Sequence, residues 1–390
     1  MLSYSINYKN LISFIKGFKM QVRVDTHIFR EALNKILTVV DKKNTRPILT
    51  YTLVNISDDS IQLIATDLEV SAKVIIPAFT QSKGTFCVNA KNLFDILREL
   101  PNGEIDLEVP VEENILNLNV RDIHYKLLVY SNEEFPHLSF SNVENEFQIN
   151  SKQVSEIITK TSYAISNDET RLYLNGIFLQ ETDSKLRAVA TDGHRLSIYD
   201  SELNQTQIET LINGIIIPKK GVHELKKISE TFPDAILRLS VDDSFMYVSA
   251  DETYFLSIRL IAREYPKYQA VIPSKTSFML KTDKDIFLDA VRRIRIMSNE
   301  KSNGVRLQVT GTELTLSANH PSLGDARETI AVNYNGNELE IGFNAKYLID
   351  TLSSLEEGEV LFEINNELSP VILKSESLPN YLGVIMPLKL

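Results

Sequence analysis

The chain contains little that could support covalent chemistry or metal binding. Its 390 residues include one cysteine, Cys87, which excludes an intramolecular disulfide, and no Cys/His cluster offers a zinc site. No apolar run approaches the roughly 18 residues that a membrane-spanning helix needs. We therefore expect a protein of the reducing cytoplasm with no cofactor and no membrane partner.

Catalytic motifs are also missing: the sequence has no G-x-S-x-G elbow, no Walker A or dinucleotide loop, and no H-E-x-x-H. Asp192, His194 and Ser197 are the residue types of a serine hydrolase, but they lie within one short segment. The Thr-Asp pair before His194 recurs at Thr66-Asp67 without a histidine, which favours a shared turn capped by the Asp side chain. We predict a non-catalytic protein and keep a hydrolase as the alternative.

The chain repeats itself three times. A strand-like segment ending in Ala65-Thr66-Asp67 recurs as Ala190-Thr191-Asp192 and, more faintly, as Ala318-Asn319-His320. The copies are separated by about the length of one small domain, far more than one unit of a solenoid. Each copy therefore predicts a domain.

The elements around each copy recur in the same order. Alternating apolar residues predict a strand before each repeated segment. Apolar residues three and four apart predict an amphipathic helix before that strand, and a second helix follows the repeated segment. The predicted helices are Phe29 to Val39, Ala90 to Leu100, Val154 to Thr161, Lys219 to Ile228, Ile286 to Ile294 and Asn344 to Leu355. The predicted fold is α+β, with three tandem similar domains that each pack two helices on β-sheets.

The predicted domains begin after a short N-terminal extension. Residues 1–19 have the composition of a weak signal sequence without a small-residue cleavage site, so we interpret them as an appended leader. Met20 opens an alternating strand-like run. The expected divisions are 1–19 for the extension, 20–143 for domain 1, 144–270 for domain 2 and 271–390 for domain 3.

Positive charge is concentrated in the helices although the whole chain carries −11. Six helical windows (27–40, 90–100, 151–161, 219–229, 284–296 and 344–355) hold 15 Lys and Arg against 8 Asp and Glu. This distribution suits helices that face DNA phosphates while an acidic exterior faces solvent. The alternative is that these charges simply populate solvated helix faces. No motif for reading bases is present, so any DNA contact would be independent of sequence.

The chain ends on apolar residues, Val384-Ile385-Met386-Pro387-Leu388-Lys389-Leu390. Chain termini are usually polar and frayed, so this one should be docked. A Met, Pro and Leu cluster is typical of an adaptable groove for short peptides. A last strand that closes the third sheet explains the same residues, and the two interpretations are compatible.

These features resemble the bacterial beta sliding clamps, the beta subunits of DNA polymerase III, from Met20 to Leu390. The motifs that carry the resemblance are Arg46-Pro47-Ile48-Leu49, Arg171-Leu172-Tyr173-Leu174-Asn175-Gly176, Ala190-Thr191-Asp192-Gly193-His194-Arg195-Leu196, Ile217-Pro218-Lys219-Lys220-Gly221, Ser298-Asn299-Glu300-Lys301, Gly304-Val305-Arg306-Leu307, Ile341-Gly342-Phe343-Asn344 and Met386-Pro387-Leu388-Lys389-Leu390. The resemblance implies a non-catalytic, head-to-tail homodimer that forms a ring around double-stranded DNA. It further implies binding of the replicative polymerase alpha subunit and the clamp-loader delta subunit.

The resemblance also implies three sets of site residues. The peptide-binding pocket would comprise Arg171, Tyr173, Leu174, Thr191, Gly193, His194, Arg195, Leu196, Pro266, Val271, Val384, Met386, Pro387 and Leu388. The DNA contacts would be Lys43, Lys91, Lys220, Asn344 and Tyr347, and the dimer interface would join Tyr125 and Leu127 to Ile296 and Met297.

The sequence departs from the family pattern at four other positions. Pro370 stands where a small polar residue is usual and Ala270 where a basic one is usual, which predicts an altered peptide preference. Leu172 and Ser302 replace aromatic residues that can touch DNA. A β-rich scaffold without a nucleic-acid role is a third interpretation, which retention on circular DNA would distinguish from a clamp.

Overall fold

The computed structural model describes residues 18–40, 46–110, 113–141, 146–203 and 209–389. Most of the predicted N-terminal extension, Lys43 and the predicted boundary at residue 143 lie outside these ranges. The chain forms two compact units. The first unit holds the chain up to Glu146 with Leu237–Ser240 and Phe245–Arg259, and the second holds Phe147–Ile236, Val241–Ser244 and Leu260–Leu390.

The predicted helices are confirmed, with ends shifted by a few residues. The helices are α1 (Thr26–Ile36), α2 (Ala90–Glu99), α3 (Ser151–Thr161), α4 (Glu209–Ile212), α5 (Lys219–Thr231), α6 (Lys284–Arg295) and α7 (Ala345–Ser353). Only the single-turn α4 was not expected. Side chains of Asp25, Asn89, Asn150, Asp283 and Asn344 accept hydrogen bonds from N–H groups of the first turns, which explains where five of them begin.

The strands account for most of the remaining chain. From the N-terminus they are β1 (Phe18–Asp25), β2 (Tyr51–Ile56), β3 (Ser60–Thr66), β4 (Val70–Pro77), β5 (Phe79–Ser82), β6 (Gly84–Asn89), β7 (Glu104–Pro110), β8 (Ile115–Val120), β9 (Ile123–Tyr130) and β10 (Phe147–Asn150). They continue as β11 (Gly176–Thr182), β12 (Lys185–Thr191), β13 (Arg195–Glu202), β14 (Ile215–Pro218), β15 (Ile236–Val241), β16 (Phe245–Ala250), β17 (Tyr254–Arg259) and β18 (Phe278–Asp283). The last are β19 (Gly304–Thr310), β20 (Glu313–His320), β21 (Gly324–Ala331), β22 (Asn333–Tyr334), β23 (Leu339–Asn344), β24 (Glu359–Ile364), β25 (Val371–Ser375) and β26 (Leu378–Ile385).

In the first unit the strands run in the order β15-β16-β17-β4-β3-β2-β6-β9-β8-β7-β1-β5. Strand β17 comes from the second repeat, and its antiparallel pairing with β4 places Tyr254 opposite Val74. Helix α1 packs with α2 on this sheet, burying Phe29, Leu33 and Ile36. The apolar face predicted from the spacing of these three residues is therefore the buried face.

The second unit contains a nine-stranded sheet in the order β14-β11-β12-β13-β26-β25-β24-β18-β22 and a four-stranded sheet in the order β21-β20-β19-β23. Here α3 packs with α5, and α6 packs with α7. Each repeat thus brings two helices onto β-structure, as predicted. Strand β26 lies between β25 and β13, so the C-terminal segment extends a sheet that began in the second repeat.

Candidate functional site

The repeated Thr-Asp segment forms the predicted turn in both copies. At the end of β3, Asp67 Oδ1 accepts hydrogen bonds from the N–H groups of Glu69 and Val70. At the end of β12, Asp192 Oδ1 accepts from the N–H groups of His194 and Arg195 in the same way. The prediction of an Asp-capped turn is confirmed, and it accounts for Asp192 without catalysis.

The second turn differs from the first at its centre, where it contains Gly193. This residue has φ +91°, and a Cβ added there would lie 3.0 Å from the Arg171 guanidinium. The equivalent Leu68 adopts φ 76° with a side chain, so the conformation itself does not require glycine. Glycine at 193 therefore keeps space between the turn and Arg171.

The hydrolase alternative is wrong. Ser197 is completely buried and its hydroxyl donates to the Lys160 carbonyl, while the Asp192 carboxylate bonds to backbone N–H groups and to Arg195. His194 is exposed and its ring stacks near that of Tyr347, with centroids 6.2 Å apart. No base contacts the serine hydroxyl, so the three residues form no relay.

Arg195 is the buried centre of this region, with 7% of its surface exposed. Its guanidinium bonds to Asp192 at 3.1 Å, to Asp350 of α7 at 2.7 Å and to the Tyr163 carbonyl. The rings of Tyr163 and Tyr347 lie over the same group. Arg195, which the sequence analysis assigned to the pocket, lies beneath the turn. A buried cation is stable only with such partners, so these contacts hold β13 to α7.

The floor of the predicted pocket is formed by paired strands. Leu196 of β13 stands opposite Val384 of β26, and Leu174 packs in the same buried apolar cluster. Tyr173 packs against that cluster from its half-buried position. The C-terminal residues continue past the strand, since the Met386 N–H donates to the His194 carbonyl and the Leu388 N–H to the Gly342 carbonyl. The structure confirms that the C-terminus is docked and that a last strand completes the sheet, whereas its role in a peptide groove stays a prediction.

One wall is the segment from Tyr265 to Ile272. The ring of Tyr265 stacks on Phe178 with centroids 4.7 Å apart, and Tyr268 is buried in the same cluster. Burial raises the pKa of the Tyr265 hydroxyl well above its ordinary value. This packing fixes the segment, so that Pro266 and Val271 are exposed on it, Val271 with 43% of its surface.

The predicted pocket residues therefore fall into two groups. Arg171, His194, Pro266, Val271 and Met386 retain exposed or half-exposed surface, whereas Leu174, Leu196 and Val384 are the buried floor. Exposed apolar side chains above a rigid apolar floor are what an anchoring groove for a peptide requires. We call this surface, from Arg171 through Met386, the groove.

The described residues among the predicted DNA contacts lie on different helices. Lys91 is exposed in the first turn of α2, and Lys220 is half-buried in the first turn of α5. The Asn344 side chain caps α7, and the Tyr347 ring lies 4.6 Å from the Arg195 guanidinium and near His194. Tyr347 is thus packed against residues of the groove, a placement that sequence spacing did not indicate.

Several Lys and Arg side chains of the basic helices are buried or paired with acidic residues, so fewer of them can contact DNA than their count suggested. Lys160 and Lys284 are buried, and Lys160 donates to the Ser354 carbonyl. Burial lowers the pKa of Lys227. Several others form exposed ion pairs, such as Arg293 with Glu328. The alternative of solvated, locally paired helix faces therefore explains part of the charge separation.

The predicted interface residues lie on two exposed apolar surfaces, one in each unit. In the first unit, β9 exposes Tyr125 and buries part of Leu127, while Leu128, which the sequence prediction missed, is 69% exposed. In the second, Ile296 is 73% exposed and Met297 is half-buried beside Gly324 of β21. Leu128 alternates with His124 and Lys126 along β9, so alternation would have placed it on their exposed face.

The described residues were searched for metal-binding groups and for membrane-spanning helices. Among these residues, no group of three His, Cys, Asp or Glu side chains is placed to hold a metal ion. None of the described helices is long and apolar enough to cross a membrane.

Three family descriptions match successive parts of the chain. They are the DNA polymerase III beta subunit N-terminal domain at residues 20–139, its central domain at 148–267 and its C-terminal domain at 269–389. The matches follow the three repeats in order.

Individual relatives cover almost the whole chain. The beta sliding clamp of Caulobacter vibrioides NA1000 is 31% identical over 378 residues, which is 95% of this chain and 100% of the relative. The beta sliding clamp of Haemophilus influenzae Rd is 30% identical over 372 residues, with the same coverage. A crystal structure of a sliding clamp from Bartonella birtlesii, bound to griselimycin, matches with a TM-score of 0.90 at 31% identity and covers 95% of this chain and 100% of that one. The chain belongs to the DNA polymerase III beta subunit family, the sliding clamps of the bacterial replicative polymerase.

Proposed function

We propose that this DNA sliding clamp acts as a head-to-tail homodimer that closes around duplex DNA and presents one groove per subunit. The order of the three family domains over residues 20–389 carries the assignment of clamp function. The clamp tethers the polymerase without performing chemistry itself. Cytoplasmic localisation fits this role and the single buried thiol, Cys87. We propose domain boundaries at 20–143, 144–270 and 271–390.

The ring closure that we propose joins two exposed sheet edges. Residues 123–128 of β9 pair on one side with β8, and within the described residues only Val129 and Tyr130 pair with β6 on the other. Strand β21 is the edge of its sheet. Pairing β9 with β21 of a second copy would cover both edges and bury Tyr125, Leu127, Leu128, Ile296 and Met297.

We propose that Lys91 and Lys220, together with Lys43, contact duplex phosphates. Lys91 and Lys220 lie in the first turns of α2 and α5, where the partial positive charge of the helix N-terminus adds to their own. Contacts of this kind are independent of sequence and weaken with salt, which permits sliding. We propose the same contact for Asn344, which caps α7, and for Tyr347, whose ring also packs near His194 and on Arg195.

The groove is proposed to bind short peptides of the replicative polymerase alpha subunit, the clamp-loader delta subunit and other clamp-binding proteins. Support comes from its exposed Val271 and Met386 above the buried Leu196 and Val384. Because this chain has Ala270 and Pro370 where its relatives usually have a basic and a small polar residue, its preference for particular peptides should differ from theirs. Griselimycin, which the Bartonella birtlesii clamp binds, is a ready ligand with which to test this chain.

Topological retention on DNA tests the ring. The protein, loaded by its clamp loader onto a nicked circular plasmid, should elute with the DNA in gel filtration and be released when a restriction enzyme linearises the plasmid. Blocking both ends of the linear DNA with bound protein should restore retention. Equal retention on open linear DNA would contradict encirclement.

Griselimycin binding tests the groove separately. Val271→Asp should weaken binding at least tenfold, because an ionised carboxylate replaces exposed apolar surface at the wall. Ile212→Asp, at an exposed apolar residue of α4, is the matched control and should bind as the parent does. Equal weakening in both variants would reject this position of the groove.

A further inference from the structure

Asparagine followed by glycine is prone to spontaneous loss of its side-chain amide. The backbone nitrogen of the glycine can attack the asparagine side-chain carbonyl, because glycine has no side chain in the way and adopts the necessary backbone conformations freely. The sequence contains five such pairs: Asn102-Gly103, Asn175-Gly176, Asn213-Gly214, Asn303-Gly304 and Asn335-Gly336. Which of them reacts in the folded protein depends on whether the fold leaves both groups free.

In two of the pairs a hydrogen bond holds the attacking nitrogen. The Gly214 N–H donates to the Leu211 carbonyl at 3.1 Å. The Gly304 N–H donates to the Ser302 hydroxyl at 3.2 Å. Each of these bonds would have to break before the nitrogen could attack, which slows the reaction at both pairs.

Two further pairs are held in other ways. Asn335 is held through its side chain, whose Oδ1 accepts a hydrogen bond from the Met279 N–H at 2.7 Å. Gly176 is buried and lies opposite Pro218 where β11 pairs with β14. The backbone of that pair cannot rearrange for the attack without disturbing the sheet.

The pair Asn102-Gly103 is free of such contacts. It lies in the turn between α2 and β7, and Asn102 is exposed. Among the described residues, neither the Asn102 side chain nor the Gly103 N–H has a hydrogen-bond partner. A Cβ added to Gly103 would meet no atom within 4 Å apart from those of the adjoining residues, so the turn is open around the attacking nitrogen.

The reaction needs only water as a co-reactant. The Gly103 nitrogen forms a bond to the side-chain carbonyl carbon of Asn102, and the side-chain nitrogen leaves as ammonia with the proton that the Gly103 nitrogen gives up. Water then opens the resulting succinimide ring at one of its two carbonyls. Opening on one side gives aspartate. Opening on the other side gives isoaspartate, in which the main chain runs through the former side chain.

The turn that would be altered anchors the first helix. The Gly103 carbonyl accepts hydrogen bonds from the Thr26 N–H at 2.7 Å and from the Thr26 hydroxyl at 2.8 Å. Thr26 is fully buried and is the first residue of α1. Isoaspartate at position 102 adds a methylene group to the main chain directly before Gly103, so it should displace this acceptor and weaken both bonds.

We infer that Asn102 is the spontaneous deamidation site of this protein, and that the isoaspartate formed there loosens the anchoring of α1 at Gly103. The free α-carboxylate of isoaspartate is the group that isoaspartate-specific methyltransferases esterify. The aged protein should therefore be a substrate for that class of repair enzyme, whereas freshly made protein should not.

Peptide mapping of aged protein tests the site. The folded protein is incubated at mildly alkaline pH, where loss of the glycine N–H proton speeds the attack, and trypsin then releases residues 99–121. Tandem mass spectrometry should find about tenfold more deamidation at Asn102 than at any other Asn-Gly pair, because the other four must first lose a contact. The same incubation in denaturing urea should largely remove this difference. A folded protein that deamidates mainly at another asparagine, or equally at all five pairs, overturns the inference.

Two matched variants locate the isoaspartate, which is measured as labelled methyl groups transferred from S-adenosylmethionine by an isoaspartate methyltransferase. Asn102→Gln should remove most of the labelling, because glutamine must form a larger ring that closes more slowly. Asn213→Gln makes the same change at another exposed asparagine, next to the bonded Gly214, and should leave the labelling unchanged. Labelling that survives Asn102→Gln contradicts the assignment.

Urea unfolding tests the effect on α1. The aged parent protein should unfold at a lower urea concentration than aged Asn102→Gln protein. Freshly prepared Asn102→Asp, which adds a carboxylate without lengthening the main chain, should unfold close to the fresh parent. Equal stability of the two aged proteins would show that isoaspartate leaves the anchoring of α1 intact. An Asn102→Asp variant as unstable as the aged parent would assign the loss to charge and overturn the role of the longer main chain.

Discussion

The Arg195 guanidinium and the Asp350 carboxylate meet at 2.7 Å, joining the first residue of β13 to helix α7. Asp192 shares the same guanidinium, and the Tyr163 carbonyl and two tyrosine rings surround it. Because the cation is buried, its partners hold the turn at Gly193 in place beneath the groove. The groove thus depends on a buried polar centre centred on Arg195.

Arg195→Met should lower the free energy of unfolding of the second unit by about 3 kcal/mol, since it leaves two carboxylates without their buried partner. Urea unfolding followed by circular dichroism measures this change. Arg306→Met is the control, because the Arg306–Glu340 pair is exposed and should contribute less than about 1 kcal/mol. Equal effects of the two substitutions would show that Arg195 has no special structural role.

Ile296→Asp should weaken the dimer roughly a hundredfold, because it places a charge on an apolar surface that we propose to be buried between subunits. Sedimentation equilibrium across a range of protein concentrations gives the dissociation constant. Leu368→Asp changes an equally exposed apolar residue elsewhere and should leave the assembly intact. A dimer that tolerates Ile296→Asp would place the interface on another surface.

Asp168 should titrate at unusually low pH beside the groove. Hydrogen bonds from the Thr170 side chain and backbone, and then from Arg171, lower the pKa of the Asp168 carboxyl from 3.8 to about 2. Its ionised form therefore stabilises the folded turn above pH 3.8, and this contribution is lost as the pH falls through about 2. Carbon-13 NMR of the carboxyl should show that Thr170→Val raises this pKa. A pKa that Thr170→Val does not change would assign the shift to other groups.

Cys87 should be unreactive in the folded protein. Burial raises the pKa of its thiol from 9.0 to about 12, so almost no thiolate forms at pH 8. Because the folded state holds this proton more tightly than the unfolded state, the thiol should reduce stability as the pH rises from 9 to 12. Disulfide exchange with Ellman's reagent at pH 8 should be slow in buffer and fast in denaturing urea. Rapid reaction in buffer would indicate frequent opening around β6.

Much of the fold could be predicted because its signals are local. The spacing of Phe29, Leu33 and Ile36 predicted α1 and its buried face, and alternation predicted β2, β11 and β19. The repeat of Thr66-Asp67 at Thr191-Asp192 predicted one turn in two places, and the same hydrogen bonds are present in both.

Residues whose roles depend on distant parts of the chain were harder to predict. Leu128 was missed because its exposure depends on whether another part of the protein covers that face of β9. The packing of the Tyr347 ring on Arg195 of the second repeat was not predicted, and its contact with DNA stays a prediction. The single-turn α4 has too few residues for a periodic signal.

By itself the sequence determined the three repeats, the helices and strands within each, the Asp-capped turns and the family. Those features follow from spacing over a few residues or from recurrence along the chain. The tertiary structure alone decided that Arg195 is buried, since its partner Asp350 is 155 residues away. It also decided that β13 lies beside β26, which aligns Leu196 with Val384 in the floor of the groove. Contacts of that range form only when the whole sheet assembles, and no local pattern encodes them.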